Sequence, residues 1–242
     1  MPYRGNLLLA SLSPGDLAAL QPHLKLAHLE QDHVLFEAGD IIDATYFPTS
    51  AVISIVVLLS SGQVVEAAMV GRDGVIGAAA ALDGKMALSR AVIQLSGEAM
   101  VCSLAGLRGA AMQSQPLLSL LIRHEQTLYA QAQQSTACMA AHHVEARLCR
   151  WLLRSRDLSQ SDTLLFTQEF LAEMLGVNRT SVTVVAHTLQ QAGIIKYSRG
   201  KIRISNLEGL QDAACECYET VRSQYQGLLG GDYGQARIRT PS

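Results

Sequence analysis

The residues with the clearest capacity for chemistry lie between Leu164 and Ile204. Thr167 has the type and position of a helix N-cap, and Glu169 falls in the first turn that follows. Ala172 precedes Gly176 by four residues. A small residue lets two helices cross closely, and a glycine accepts the positive φ of a tight turn. The spacing therefore predicts two short helices joined by a sharp bend.

The second of these helices begins after Asn178 and exposes polar side chains at its start. Arg179 can pair its guanidinium with the two acceptors on the edge of a guanine. A helical hairpin with a solvated face is the alternative, but the Ala–Gly spacing, two N-caps and an exposed arginine together favour a helix that contacts DNA. The residues predicted to make these contacts on the two helices are Thr167, Gln168, Asn178, Arg179, Thr180, Ser181 and Thr183.

A basic β-hairpin is predicted directly after the helices. Ile194–Tyr197 and Lys201–Ile204 flank a turn at Ser198-Arg199-Gly200, and basic residues alternate with isoleucines along the second strand. Arg199 and Lys201 are suited to phosphate contacts, which position a protein on DNA without reading its sequence. Residues 145–205 carry nine Lys/Arg and five Asp/Glu, whereas residues 1–144 carry seven and eleven. This basic segment in an acidic chain is typical of a nucleic-acid-binding domain.

The elements that must position this segment fall in two zones upstream. Between His33 and Leu104, short runs rich in Val and Ile alternate with turn residues, which indicates a compact all-β sandwich or barrel. Apolar and polar residues then recur at alternating intervals of four and three, and a helix from Pro116 to about Ala141 would be ~39 Å long. The spacing is that of Leu117, Leu121, His124, Leu128, Gln131, Ser135, Cys138 and His142. Such a helix could pair in a dimer, lie along its own β domain, or do both.

Composition narrows the class of protein. With 49% apolar and 17% charged residues, the 242-residue chain is not of the disordered type. Its longest apolar runs are far short of the ~20 residues that a membrane helix needs, and no secretory leader is recognisable at the N-terminus. Five cysteines without framework spacing are typical of reduced thiols. We therefore expect a cytoplasmic globular protein.

The order of a β domain, a long helix and a winged helix-turn-helix resembles the cyclic-AMP receptor protein/FNR (CRP/FNR) family of bacterial transcription regulators. The resemblance covers about residues 20–210, and its most specific part runs from Thr167–Ala172 to Gly193–Ile195. The residues that carry it in the β zone are Phe36–Asp40, Tyr46–Pro48, Gly71–Gly74 and Gly77. The resemblance implies a sequence-specific DNA-binding regulator and not an enzyme. It also implies a homodimer on a palindromic operator, with RNA polymerase as a further partner.

The implied fold is α+β. An N-terminal sensory β-roll of the cyclic-nucleotide-binding type would occupy residues 1–115, and a dimerisation helix residues 116–142. A winged helix-turn-helix DNA-binding domain would occupy residues 143–226, and a flexible tail residues 227–242.

The family's cyclic-nucleotide pocket is matched here only in part. Gly77 is followed by Ala78 where the family has the glutamate that holds the ribose, and Arg90 is followed by Ala91 in place of a hydroxyl residue. Thr136 on the long helix is the remaining candidate for a contact with the base. Each buried polar group left unpaired costs ~1–3 kcal/mol. We therefore expect no cyclic nucleotide and an unknown or lost ligand, with a cyclic-nucleotide-responsive regulator as the alternative.

The cysteines and histidines could instead serve metal or redox chemistry. Cys215 and Cys217 are spaced like ligands, but two thiols do not complete a tetrahedral site, so we interpret them as buried thiols of a terminal helix and predict no metal. An N-terminal cysteine cluster for iron–sulfur chemistry is lacking, since the first cysteine is Cys102. A haem-binding protein would need an axial ligand, and the histidines that could supply one by residue type are His33, His124, His142 and His143.

An enzyme is a further possible class, because a β barrel can hold a cupin-like metal site when several His and Glu side chains converge inside it. The β zone offers few such residues, and it contains no His-x-His motif. The candidates are His33, Glu37, Glu66 and Glu98.

Overall fold

The computed structural model describes residues 2–83 and 85–229. After a 3-10 turn at Pro2–Gly5, its N-terminal unit contains two short helices, α1 (Leu7–Ser11) and α2 (Pro14–Leu20), each capped by a side-chain oxygen of the preceding residue. Seven strands follow: β1 (Leu24–Leu29), β2 (Val34–Phe36), β3 (Ala44–Pro48), β4 (Val52–Leu58), β5 (Val64–Val70), β6 (Arg90–Leu95) and β7 (Gly97–Ser103). A short helix, α3 (Ala78–Ala81), lies between β5 and β6.

The seven strands form two antiparallel sheets, with the orders β1-β7-β3 and β2-β6-β4-β5. The position of strand β4 explains why its sequence lacks the usual alternation of apolar and polar residues. Ile53 packs with the buried residues inside the roll, whereas Val52 and Val56 pack against the C-terminal half of the molecule. Both faces of the central strand are therefore covered, as expected for a continuous apolar run.

A helical segment connects the two halves. Helix α4 (Leu104–Gln113) follows β7, α5 (Gln115–Ala141) is the predicted long helix, and α6 (Val144–Ser159) comes after a short break. Ser114 caps α5 by accepting a hydrogen bond from the backbone N–H of Leu117. The buried face of α5 packs within its own chain. Six of the residues with the predicted spacing lie on this face: Leu117, Leu121, His124, Gln131, Ser135 and Cys138.

The C-terminal half is a winged helix-turn-helix. It contains β8 (Thr163–Leu165), α7 (Gln168–Leu175), α8 (Arg179–Gln191), β9 (Ile195–Ser198), β10 (Lys201–Ile204), α9 (Leu207–Asp212) and α10 (Cys217–Leu229). The three strands pair in the order β8-β10-β9. Residues 227–229, predicted to begin a flexible tail, belong to α10, and residues 230–242 of that tail lie outside the described residues.

One apolar core joins the two halves. Trp151 of α6 packs edge-on against Phe166 and Phe170, and the same cluster of buried residues includes Val52 and Met69 of the β-roll. Helix α6 thus fixes the helix-turn-helix to the sheet, together with α7, which contacts β5 directly. Among the described residues, no helix combines the length and apolar character required to cross a membrane.

Candidate nucleic-acid interface

The helix-turn-helix has the local geometry predicted from its sequence. Thr167 Oγ1 accepts a hydrogen bond from the backbone N–H of Phe170 at 3.1 Å, which caps α7. Gly176 ends α7 in the left-handed conformation, with φ +62°. The backbone N–H of Val177 then donates to Ala172 O at 2.9 Å, which closes the bend. Ala172 is buried, in agreement with its predicted place at the helix crossing.

The start of α8 is open to solvent. The side chain of Arg179 is 66% exposed, and its Nη1 lies 3.6 Å from Glu169 Oε2, which is equally exposed. Asn178 occupies the N-cap position with extended backbone, but its side chain makes no capping hydrogen bond, contrary to the prediction that it caps the helix. Thr180 is exposed and Ser181 is half-buried.

A side-chain contact links the two helices at this surface. Thr183 Oγ1 donates to Gln168 Oε1 at 2.7 Å, with Arg179 O at 3.0 Å as an alternative acceptor. Behind this contact, Val182 and Leu189 are buried as predicted, whereas Val185 is half-buried. The exposed polar groups therefore stand on a helix that is fixed by its apolar face.

The wing is a two-residue hairpin. Ser198 pairs with Lys201, and the two turn residues Arg199 and Gly200 both have positive φ, at +48° and +76°. A Cβ atom placed on Gly200 would lie 3.6 Å from Thr167 Cγ2. The tip of the wing, with the exposed Arg199, therefore lies beside the start of α7.

Two basic residues of the wing, Lys196 and Arg203, were not among the residues predicted to contact DNA. Lys196 on β9 pairs with Arg203 on β10, and both side chains are exposed on the same face as Lys201. The alternation of basic residues with Ile202 and Ile204 contained this signal, because residues two apart in a strand share a face.

Buried polar groups attach α6 to the β-roll. Trp151 Nε1 donates to Glu66 Oε1 at 3.0 Å, and Ser54 Oγ donates to Glu66 Oε2 at 2.6 Å. Burial raises the pKa of Glu66 to about 7, against the lowering effect of its hydrogen bond from Ser54 and of nearby arginines. A buried ion pair joins Arg154 Nη1 to Asp73 Oδ2 at 2.6 Å. Asp73 belongs to the predicted Gly71–Gly74 motif.

The five residues proposed for the ligand pocket have different surroundings, and one of them, Gly77, lines a cavity. A cavity of about 460 Å³ in the β-roll is lined by Gly77 and by mostly apolar residues. The other four proposed residues are not among those that line this cavity. Ala78 and Ala91 are fully buried, Arg90 Nε donates to Glu37 Oε2 at 2.8 Å, and the exposed Thr136 donates to Ala132 O in its own helix.

The two C-terminal cysteines are not isolated, and the premise that they lack further ligands is wrong. Cys138 and His142 join Cys215 and Cys217, and the four ligand atoms all lie within 4.8 Å of one another. By contrast, the four candidates for a cupin-like site form no such cluster in the described part of the chain. Of the four, Glu37 forms an ion pair with Arg90, and Glu66 accepts a hydrogen bond from Trp151.

Comparison with known proteins assigns the C-terminal domain to a domain family. Residues 146–213 match the family model of the Crp-like helix-turn-helix domain. A search of curated proteins returned no match.

Several solved structures share the fold at low sequence identity. FixK2 from Bradyrhizobium japonicum has a TM-score of 0.68 and 15% identity, with coverage of 79% of this chain and 98% of that one. A CRP-family transcriptional regulator from Thermus thermophilus has a TM-score of 0.66 and 20% identity, with coverage of 78% and 96%. The c-di-GMP-responsive global regulator CLP from Xanthomonas campestris has a TM-score of 0.62 and 15% identity, with coverage of 80% and 100%. Residues 146–213 therefore form a Crp-like helix-turn-helix domain, and the fold of the chain is that of the CRP/FNR-type proteins named above.

Proposed function

We propose that the chain is a transcription regulator that binds a palindromic operator as a homodimer and reads it with the exposed start of α8. The observation that carries the proposal is the position of Arg179 at the N-terminal end of α8, with its side chain directed to solvent. Helix-turn-helix proteins place this end of the second helix in the major groove. The cytoplasm is where such a regulator meets its DNA, and no catalytic role is proposed for the chain.

Arg179 is the residue that we propose discriminates between base pairs. Its partner Glu169 lies at 3.6 Å, and both side chains are largely exposed. Ion pairs of this kind contribute ~0–1 kcal/mol, so Arg179 can exchange Glu169 for a guanine edge at little cost. The bond from Thr183 to Gln168 restrains the neighbouring polar groups on the two helices.

The remaining contacts are proposed to reach phosphates. The Asn178 side chain has no capping bond to lose, and Thr167 and Gln168 lie at the start of α7, where a helix favours anions. Thr180 and Ser181 extend this polar edge. On the wing, Arg199 and Lys201 are joined by Lys196 and Arg203, which together give a basic strip beside the helices.

The dimer is proposed to form through the outer face of α5. The inner face packs on its own chain, but a second stripe with 4-3-4-3-4 spacing is exposed on the opposite side. This stripe consists of Ile122, Gln126, Tyr129, Gln133, Thr136 and Ala140. Such spacing keeps side chains on one seam between two helices. It also gives Thr136 a place in the interface in addition to its candidate role in a ligand pocket.

Cyclic nucleotide binding is not part of the proposal. The cavity of the β-roll is lined mainly by apolar side chains, and the Arg90 guanidinium is already engaged by Glu37. A cyclic phosphate and a ribose would have to be buried there without a full set of polar partners, at ~1–3 kcal/mol for each unpaired group. We therefore infer that the signal for this regulator, where one acts, is not a cyclic nucleotide.

Selection from a pool of random DNA duplexes, followed by binding measurements, tests the proposal. We expect the full chain to enrich duplexes with two-fold symmetric half-sites ~34 Å apart, which is one turn of DNA. Arg179→Ala should reduce discrimination between the selected duplex and a scrambled one by about 30-fold or more, since each bidentate pair is worth ~1–3 kcal/mol and a dimer makes two.

Arg108→Ala is the matched control, because Arg108 is an exposed arginine of the N-terminal half that pairs with Asp83. Its discrimination should match that of the unmodified protein. If Arg179→Ala also discriminates as well as the unmodified protein, α8 is not the element that reads the sequence.

A further inference from the structure

We propose that Cys138, His142, Cys215 and Cys217 form a structural Zn²⁺ site that ties the end of α5 to the start of α10. Cys138 lies in the last turn of α5, and His142 is the C-cap residue of that helix. Cys217 is the first residue of α10, and Cys215 precedes it by two positions. The site therefore joins segments that are more than 70 residues apart in the sequence.

The distances between the ligand atoms suit a tetrahedral ion. The Sγ atoms of Cys138 and Cys215 are 3.5 Å apart, and Cys217 Sγ lies 3.6 Å from His142 Nδ1. Zinc binds sulfur at ~2.3 Å and nitrogen at ~2.0–2.1 Å, which places tetrahedral ligand atoms about 3.6–3.8 Å apart. The four side chains therefore need only small adjustments to surround one ion.

Neighbouring groups orient the ligands from outside the cluster. His142 Nε2 lies 3.2 Å from Glu216 Oε1, so the carboxylate favours a proton on Nε2 and leaves Nδ1 directed at Cys217. A carboxylate behind a ligating histidine is a recurrent feature of zinc sites. Gln134 Nε2 donates to Cys217 Sγ at 3.0 Å, which supports a sulfur that carries negative charge.

Positive charge is already present near the cluster. Binding converts three thiols to thiolates and releases three protons to solvent, so the complex of Zn²⁺ with neutral His142 carries a net charge of −1. Arg147 and Arg150 are both more than 90% buried, and both interact electrostatically with Cys138. Arg150 Nε has no hydrogen-bond partner in the described residues. A buried anionic site would compensate these two buried cations.

The site has a full set of four protein ligands and lies at the junction between two helices. Cys138 and Cys217 are almost fully buried, and four protein ligands leave no open position for a substrate, which is typical of structural zinc. His142 lies between α5 and α6, where the long helix passes into the DNA-binding unit. Zinc at this point would fix the C-terminal helix against the joint. Three sulfur ligands and one nitrogen favour zinc over magnesium or calcium, which prefer oxygen.

Metal analysis of the purified full chain tests the site. We expect about one tightly bound zinc ion per chain, and Co²⁺ added after chelation should give the visible absorption of tetrahedral thiolate coordination. Cys217→Ser and His142→Ala should lose bound zinc. Cys149→Ser should keep it, because Cys149 is a buried cysteine of α6 that lies outside the cluster. Glu216→Gln should retain the site with zinc affinity lowered ~10-fold.

A second measurement needs no variant and therefore does not depend on the folding of one. Zinc should protect Cys138, Cys215 and Cys217 of the unmodified chain from alkylation, and it should leave labelling of Cys102 and Cys149 unchanged. Absence of both protection and a Co²⁺ spectrum would overturn the proposal. A mass lower by two hydrogens, with Cys138 linked to Cys215 and no metal bound, would overturn it in favour of a disulfide. Equal zinc loss in Cys149→Ser would show that the cluster does not hold the ion.

Discussion

Trp151 Nε1 donates a hydrogen bond to Glu66 Oε1 at 3.0 Å, and this bond connects the DNA-binding half to the β-roll. Trp151 lies on α6 and Glu66 on β5, and both are buried. The second carboxylate oxygen accepts a hydrogen bond from Ser54. The junction between the two halves is therefore built around a buried carboxyl group, and this burial raises its pKa to about 7.

This junction predicts a pH-dependent stability. The pKa of Glu66 rises from an ordinary value of 4.5 to about 7 on folding, so between these values the folded state binds more protons than the unfolded state. Its contribution to the free energy of unfolding is complete below about pH 4.5 and is lost as the pH rises through about 7. The loss is at most about 1.4 kcal/mol per pH unit.

Glu66→Gln should remove this part of the pH dependence, because a glutamine stays neutral while keeping an oxygen for Trp151. Urea unfolding at a series of pH values measures the slope. Glu98→Gln changes an exposed glutamate on β7 and should leave the slope unaltered. An unchanged slope in Glu66→Gln would assign the dependence to other groups.

The ion pair between Asp73 and Arg154 should be costly to break. Its N–O distance is 2.6 Å, and the two side chains are 9% and 13% exposed. Removing one partner of a buried pair leaves an uncompensated charge, so Asp73→Asn should lower the free energy of unfolding by about 3 kcal/mol. The exposed pair of Asp83 and Arg108 provides the contrast, and Asp83→Asn should cost ~0–1 kcal/mol. Equal losses in the two variants, measured by urea unfolding, would contradict the prediction.

The bend of the helix-turn-helix depends on Gly176. Its φ of +62° is left-handed, and an added Cβ would lie 3.2 Å from Val65 Cγ2. Gly176→Ala should destabilise the protein by roughly 1–2 kcal/mol from backbone strain alone. Gly109→Ala is the control, because Gly109 lies within α4 with open space around its Cβ position. That substitution should stabilise by roughly 0.5–1 kcal/mol, since alanine is the better helix former. Thermal unfolding distinguishes the two signs.

The wing should supply affinity that does not depend on DNA sequence. Lys201 is exposed on β10, and its contact with a phosphate would release counterions from DNA. In a dimer, Lys201→Gln should make the plot of log K against log salt less steep by ~1.8, at ~0.9 per phosphate contact. Selected and scrambled duplexes should weaken equally. Lys25→Gln, an exposed lysine of β1, should leave the slope unchanged.

Tyr129 lies near the centre of the exposed stripe on α5, and its side chain is 68% exposed in the single chain. Tyr129→Asp should shift the protein from dimer to monomer in sedimentation experiments, because a carboxylate at a helix–helix seam loses its hydration. Val184→Asp, at a similarly exposed apolar residue of α8, should remain dimeric. A Tyr129→Asp protein that stays dimeric would place the interface elsewhere.

The sequence by itself determined the elements whose signals are local. The N-cap at Thr167, the positive φ at Gly176 and the alternation around Ile202 each depend on a few neighbouring residues, so the helix-turn-helix and its wing were predicted almost as they occur. The length of α5 was predicted within a residue at each end, because no glycine or internal proline interrupts it.

Only the tertiary structure decided which surfaces meet. Periodicity located a stripe on α5, but it could not show that the stripe packs within its own chain and leaves Tyr129 outside. Glu66 was a candidate for metal chemistry until the structure placed Trp151 against it. Cys138 and Cys215 are 77 residues apart, and their contact depends on how α10 returns to α5. Packing between distant segments creates these sites, and no local pattern of residue types records it.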